Sequence, residues 1–293
     1  MPKVYDCFAF FNELDLLEIR LNELNPVVDY FVLVEATRTF QKEPKPLHFA
    51  ENRSRFQQFA GKLIHVVVDS YPSFFTRFRI PTPMDYDNHQ KNQIVEGLKN
   101  AQPDDIIIYS DLDEIPAPDK IREYRNTPGI KVFEQRLYSY FANCAVIDCP
   151  AAPELPKKHG HVRWRGSVMG HYRDFKDTKS FRKMRDQQEP SITLIEEGGW
   201  HFTYLGGLDS VLYKLNSFAH TKEKQFGIHD FATRSSLEKM LREGRDILGR
   251  EIAYRLTPID ATLPEYLHTN CAKYPHLFRE QWDISAHPSE HSA

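Results

Sequence analysis

Cysteine is scarce in this chain: Cys7, Cys144, Cys149 and Cys271 are the only four among 293 residues. Only Cys144 and Cys149 are near neighbours, so no zinc ribbon is indicated, and buried reduced thiols acting as small hydrophobes account for all four. Long apolar runs are missing. No stretch approaches the roughly 18 residues of a membrane-spanning helix, and the opening MPKVYDCFAFFNELD carries one lysine and an apolar run soon cut by acids, unlike a signal peptide or anchor. The expectation is a cytoplasmic protein with no transmembrane segment, and the sequon Asn52-Arg53-Ser54 then reads as accidental. An excess of one charge is missing too: the formal net charge is -3, which leaves no electrostatic footprint for nucleic acid. There is no internal repeat and no linker separating two domains. With 41% hydrophobic and 27% charged residues the chain has the composition of an ordinary globular protein.

What is present is an alternation of strand and helix signals. VYDCFAF at 4–10 reads as a strand, followed by a helix with Leu14, Leu17, Leu21 and Leu24 at helical spacing behind Asn12 as cap. YFVLVEA at 30–36 and LIHVVVD at 63–69 read as strands, and DNHQKNQIVEGLKN at 87–100 as a helix. This order predicts an α/β fold with a Rossmann-like, mainly parallel sheet flanked by helices. After Pro116 the pattern changes. PDKIREYRN reads as a short helix and KVFEQRLYSYF at 131–141 as a strand; 150–190 looks irregular and basic. SITLIEEGGWHFTYLGG reads as strand, turn, strand, and helical pattern marks 208–221 and 234–248. The expected organisation is one domain over residues 1–283, with a nucleotide-binding half to about 116, an acceptor-side half over 117–283, and a disordered tail at 284–293.

The densest chemistry lies in IIIYSDLDEIP, residues 106–116, where an apolar strand runs straight into Asp111, Asp113 and Glu114. Carboxylates this close repel one another unless a cation, a proton or bulk water relieves them. In doubly wound sheets ligands bind beyond the carboxyl ends of the strands, which is where these acids fall. Three readings compete: a solvated turn, a phosphatase of the haloacid dehalogenase type, and the D-x-D of nucleotide-sugar transferases. The phosphatase requires a Thr or Val two residues after the second Asp, where Ile115 stands, and a downstream acidic pair that is not evident. In the transferase reading, Mg²⁺ or Mn²⁺ accepts one or two carboxylates plus diphosphate oxygens, and stabilises charge growing on the departing phosphate.

Several segments, in order, resemble glycosyltransferase family 17. They are VYDCFAFFNELDLLEIRLNEL, VEATRTFQKEPKPLHF, PDDIIIYSDLDEIP, GGWHF, YKLNSFAH and LREGRDILGRE, together spanning about residues 4–250. The resemblance implies a GT-A-type fold and an inverting β-1,4-N-acetylglucosaminyltransferase-like activity. The donor it implies is UDP-GlcNAc and the acceptor a glycan hydroxyl, with Mn²⁺ or Mg²⁺ as cofactor. By position, Asp111 and Asp113 match the D-x-D, Asp113 being the direct metal contact, and His201 matches the late histidine that completes the metal shell. Trp200 is read as a packing residue. The animal members have a membrane anchor and a luminal stem, which this sequence does not show, so Golgi location and an N-glycan acceptor do not carry over. A bacterial or viral origin is the expectation. A degenerate, non-catalytic glycan-binding module is the alternative.

Inversion needs a base for the acceptor hydroxyl. Glu114 ranks first and Glu197 second, ahead of Asp174 and Asp230. Asn12, Glu13 and Glu35 follow the first two strands and are candidate nucleotide contacts with Asp111, although Glu13 also suits a helix N-terminus. Arg38 and Lys45 are candidate phosphate contacts. Arg163, Arg165 and Arg173, interleaved with Trp164 and Tyr172, read as either a lid or a solvated basic loop. His159 and His161 lack partners at useful spacing and receive no role.

Overall fold

The computed structural model describes residues 2–72, 80–187, 189–206, 211, 234–247 and 249–281. The first half runs β1 (Val4–Phe10), α1 (Leu14–Leu24), β2 (Tyr30–Ala36), β3 (Leu63–Val68), α2 (Pro83–Asn92), β4 (Ile106–Tyr109), the short β5 (Glu114–Pro116) and α3 (Pro118–Tyr124). The second half runs β6 (Ile130–Ser139), β7 (Cys144–Asp148), β8 (Lys157–Lys158), β9 (His161–His171), α4 (Thr178–Lys183), β10 (Ile192–Ile195), β11 (Gly199–Thr203), α5 (Arg234–Arg242) and β12 (Ala253–Leu256). Short helical turns connect some of these.

The opening strands are apolar on both faces, and each face has its own core. Val4, Phe8 and Phe10 of β1, Phe31 and Leu33 of β2, and Ile106 and Ile108 of β4 pack with Leu17, Ile19, Leu21 and Leu24 of α1. The residues between them, Tyr5, Cys7, Val32, Val34, Ile107 and Tyr109, pack on the opposite side with Ile94, Leu98 and Phe181. Period-two alternation with both sets buried is the pattern of a strand covered by helices on both sides. Each fully buried Leu, Ile, Val or Phe contributes about 1.5–3 kcal/mol, so burial on both faces makes these strands the most strongly held part of the sheet. β4, β1, β2 and β3 are accordingly parallel neighbours in that order.

Beyond β4 the expectation of a mainly parallel sheet gives way to a mixed one. The sheet order is β12-β7-β6-β9-β4-β1-β2-β3, with β10 and β11 parallel to β6 and β5 antiparallel to β11. The segment predicted to be irregular supplies β9, which lies between β4 and β6 and is antiparallel to both. Its basic residues are tolerated there because they have partners across the sheet. Arg163 is fully buried and its guanidinium pairs with Glu197 on the loop before β11. Gly166 allows close approach: a Cβ there would sit 1.9 Å from Gln135 Oε1.

Two helix boundaries also differ from expectation. α1 begins at Leu14 with Glu13, not Asn12, in the cap position, and the Glu13 carboxylate accepts the Asn12 backbone N–H at 3.0 Å. α2 begins earlier than predicted, at Pro83, because Thr82 and Asp85 form a capping box, and it ends at Asn92 before a separate turn at Ile94–Gly97. The helix predicted over 208–221, apart from Val211, and the tail from 284 lie outside the described residues. Among the described residues, no helix is long and apolar enough to cross a membrane.

Candidate active site

The acidic turn is shaped from below by one arginine. Arg20 of α1 is fully buried; its Nε and Nη2 donate to the two carboxylate oxygens of Asp6 at 2.8 and 2.6 Å. Nη2 also reaches Ser110 Oγ at 2.7 Å, and Nη1 donates to the carbonyls of Asp111, Leu112 and Glu114 at 3.1, 3.1 and 2.8 Å. The guanidinium thus gathers three carbonyls of the turn at one point, beside the Glu114 N–H that also reaches the Asp111 carbonyl and the Ser110 and Ser167 hydroxyls that also reach the Glu114 carbonyl, and Asp6 neutralises it. The chain can leave β4, turn through residues 110–113 and enter β5 because of this contact. Glu114 therefore stands at the start of a strand rather than in the turn, its backbone opposite His201 of β11.

The three carboxylates go separate ways. Asp111 is taken by cations: Arg182 of α4 forms a two-pronged pair with it, Nη1 to Oδ1 at 2.9 Å and Nη2 to Oδ2 at 2.6 Å, and Lys91 of α2 lies 3.2 Å from Oδ1. Burial opposes the charge on Asp111, but Lys91 and Arg182 outweigh it and hold its carboxyl well below the usual carboxylate range. Glu114 is buried, its Oε2 accepting the Asp111 backbone N–H at 2.9 Å while Oε1 accepts Trp164 Nε1 at 2.8 Å and Arg185 Nη1 at 3.1 Å. Asp113 faces His201, with Oδ1 and Nε2 3.6 Å apart and side chains 14% and 11% exposed. His201 also lies beside Trp164, ring centroids 5.1 Å apart, and its Nδ1 is buried without a hydrogen-bond partner among the described residues. The repulsion that a bound cation was expected to relieve is thus met largely by Lys91, Arg182 and Arg185, none of which stood out in the sequence.

Asp111, Asp113, Glu114, Trp164, His201, Lys91 and Arg182 line one cavity of about 270 Å³. It is lined by the carboxyl ends of β1 and β4, by Trp164, Arg182, Lys91 and Asp87, by His201 and Thr203 of β11, and by Tyr204 just after that strand. Phe11 and Phe40, also in its lining, stack with ring centroids 6.4 Å apart and planes 17° from parallel. This is the crevice beyond the strand ends that a parallel α/β sheet offers its ligand.

Of the predicted residues, Asp111, Asp113, Glu114, His201 and Glu13 meet here. Glu197 does not line this cavity. It sits in a left-handed turn (φ 50°), paired with Arg136 and Arg163, and lines a second groove with Trp200. Trp200 packs against the core and donates its indole N–H to the Thr262 carbonyl at 2.7 Å. Glu35 is fully buried and accepts the Phe49 backbone N–H at 3.0 Å, with His65 at 3.1 Å and Lys45 at 3.7 Å from its carboxylate. It acts inside the core, and Lys45 is buried with it. Asn12 faces a separate small hollow, and Arg38 donates to the Lys42 carbonyl at the surface. The basic lid resolves into strand and surface: Arg163 is buried in β9, Arg165 donates to the Arg185 carbonyl, and Arg173 pairs with Asp104. Asp174 lines no part of the cavity, nor do His159 and His161, and Asp230 lies outside the described residues.

Fold and site together define an α/β protein with a ligand cavity at the carboxyl edge of its parallel strands, walled by carboxylates and cations. The chain belongs to glycosyltransferase family 17, whose model matches residues 1–281. A human β-1,4-mannosyl-glycoprotein 4-β-N-acetylglucosaminyltransferase is 35% identical over 296 residues, covering 91% of this chain and 53% of that protein. Its rat counterpart is 24% identical over 310 residues, covering 96% of this chain and 55% of that protein. The chain thus spans about half the length of these relatives. Among solved structures, the inositol-1-phosphate CTP transferase from T. maritima superposes with a TM-score of 0.38 at 9% identity, covering 75% of this chain and 97% of that one.

Proposed function

We propose that this chain is a GT-A-type inverting glycosyltransferase that moves a sugar, GlcNAc from UDP-GlcNAc, to a hydroxyl of a glycan acceptor. The observation that carries the reading is the meeting of Asp113 and His201 in one cavity at the carboxyl ends of β1 and β4. Membership of the family and the names of the relatives supply the donor class. The stacked Phe11 and Phe40 offer a flat apolar platform for a nucleobase.

The donor set suits a hard divalent cation in part. Asp113 and His201 supply an oxygen and a nitrogen on one wall, and Mg²⁺ or Mn²⁺ commonly completes its shell with substrate phosphate and water. Among the described residues no cluster of three or more His, Cys, Asp or Glu is placed to hold a metal, and Asp113 and His201 are the residues that would hold it. The Asp111 carboxylate is engaged by Lys91 and Arg182 instead. When bound, the cation supplies Lewis-acid stabilisation of the leaving diphosphate. Glu114 is better placed to hold than to accept a proton. Both its oxygens already receive donors, and protonation would weaken the contacts to Trp164 and Arg185 that fix the cavity wall.

The deciding experiment is to incubate the protein with UDP-GlcNAc, UDP-Gal, UDP-Glc and GDP-Man in Mn²⁺ or EDTA, and to follow nucleotide release. Metal-dependent release of UDP from UDP-GlcNAc is expected, falling about 10–100-fold or more in Asp113→Ala. UDP binding without hydrolysis or transfer from any donor, unchanged by chelator, would instead identify a non-catalytic module.

A further inference from the structure

The leaving group of the proposed reaction is a nucleoside diphosphate, and the cavity holds two cations with no stated part in it. Lys91 Nζ lies 3.0 Å from Asp87 Oδ2 and 3.2 Å from Asp111 Oδ1; Arg182 grips both oxygens of Asp111. The two helices carrying them are tied together, since Asn92 at the end of α2 accepts from Thr178 at the start of α4 through both hydroxyl and backbone N–H, at 2.5 and 3.3 Å. Each cation side chain remains partly open, 17% exposed for Lys91 and 28% for Arg182.

Both also border another cavity of about 290 Å³, where Lys179, Lys183 and Arg185 join them with Asp87 and Asp186. With Asp111 on Lys91 and Arg182 and Glu114 on Arg185 counted as well, five cations face four carboxylates, a small positive excess in which Lys179 and Lys183 add to the attraction for a polyanion. A carboxylate bracketed by a two-pronged guanidinium and an ammonium has the geometry in which a phosphate is bound.

We infer that Lys91 and Arg182 form an anion clamp for the donor's diphosphate, with the Asp111 carboxylate as the resident group that keeps the two cations aimed at the cavity. This rests on the nucleotide-sugar reading above and adds protein cations as carriers of phosphate charge beside the Asp113–His201 pair. Two positions on separate helices then sense phosphate independently of a metal. Asp111, in place of coordinating the cation itself, keeps them from folding away from the ligand.

The test is calorimetric titration of uridine, UMP and UDP into the intact chain in EDTA, comparing wild type with Lys91→Met, Arg182→Gln and the double variant Asp111→Asn/Arg182→Gln. Wild type should bind more tightly with each added phosphate. Removing either cation should weaken UDP about tenfold or more while leaving uridine unchanged, flattening the series. The double variant restores the charge balance around residue 111, so it is expected to fold with near-native thermal stability and still show the loss. Equal UDP affinity in wild type and variants, or an equal loss for uridine, would overturn the clamp and leave the glycosyltransferase reading intact. Absence of nucleotide binding by wild type, with metal or without, would overturn both.

Discussion

Two arginines serve the same acidic turn in opposite ways. Arg20 reaches it from the core, is fully buried, and spends its donors on Asp6, Ser110 and three backbone carbonyls. Arg182 reaches it from the cavity, is partly open to solvent, and holds the Asp111 side chain. The first contact fixes where the backbone goes, and the second fixes what charge the cavity presents. A fold can therefore keep the turn while its ligand chemistry changes at α2 and α4, because shape and charge are assigned to different elements.

The largest expected effect lies on the core side. Arg20→Met keeps much of the side-chain volume but strands the Asp6 carboxylate and removes a donor from three carbonyls of the turn, and breaking such a buried pair costs about 3–5 kcal/mol. Urea denaturation should show a midpoint lowered accordingly, and nucleotide binding should be lost together with stability. A loss under about 1 kcal/mol would mean that the turn holds its own shape, and the division drawn between the two arginines would fail.

Glu114 lies between these extremes, with its backbone carbonyl on Arg20 and its side chain on Trp164 and Arg185. In Glu114→Gln one amide can no longer receive donors at both ends, so a stability loss of about 1–3 kcal/mol is expected. If the residue only positions the wall, kcat should fall by less than about tenfold and the acid limb of the kcat–pH profile should stay in place. Loss of about 10²–10⁴ in kcat with that limb abolished would restore Glu114 as the base.

The same division explains what could be read from sequence. Strands β1 to β4 were legible because apolar residues buried on both faces leave unbroken runs, and the acids were legible because they follow one of those runs. β9 was not, because Arg163 and Arg165 resemble a solvated loop until the chain brings Glu197 and β6 beside them. Lys91 and Arg182 look like ordinary helix charges; only folding places them against Asp111, from 20 residues before and 71 after in the chain. Arg20 did leave a signal. It stands three residues after Leu17 and four before Leu24, on the apolar stripe of α1, where a charge is costly unless it has a buried partner.

The smallest expected effect concerns acid. Burial disfavours the Asp111 carboxylate, yet Lys91 and Arg182 depress its folded pKa well below the ordinary value of about 3.9. With the folded value depressed, the unfolded chain takes up the proton first as pH falls. The linked stability is fully present above the unfolded pKa, and is lost as pH drops from there through the folded one. Asp246 shifts the same way, burial being outweighed by Arg250 and Tyr140, so acid lability is shared between a group inside the cavity and one outside it. Thermal melts from about pH 7 to pH 2 should therefore show a first loss below about pH 6.5, where burial keeps His48 and His161 from taking up the proton that the unfolded chain accepts, and a second below about pH 4 that is shallower in Asp111→Asn. Added UDP, if it engages Lys91 and Arg182, should reduce the difference between the two proteins by taking over the charge that Asp111 supplies. Parallel wild-type and Asp111→Asn curves without ligand would show that the Asp111 ion pairs contribute no net stability, their attraction being offset by the burial of Asp111.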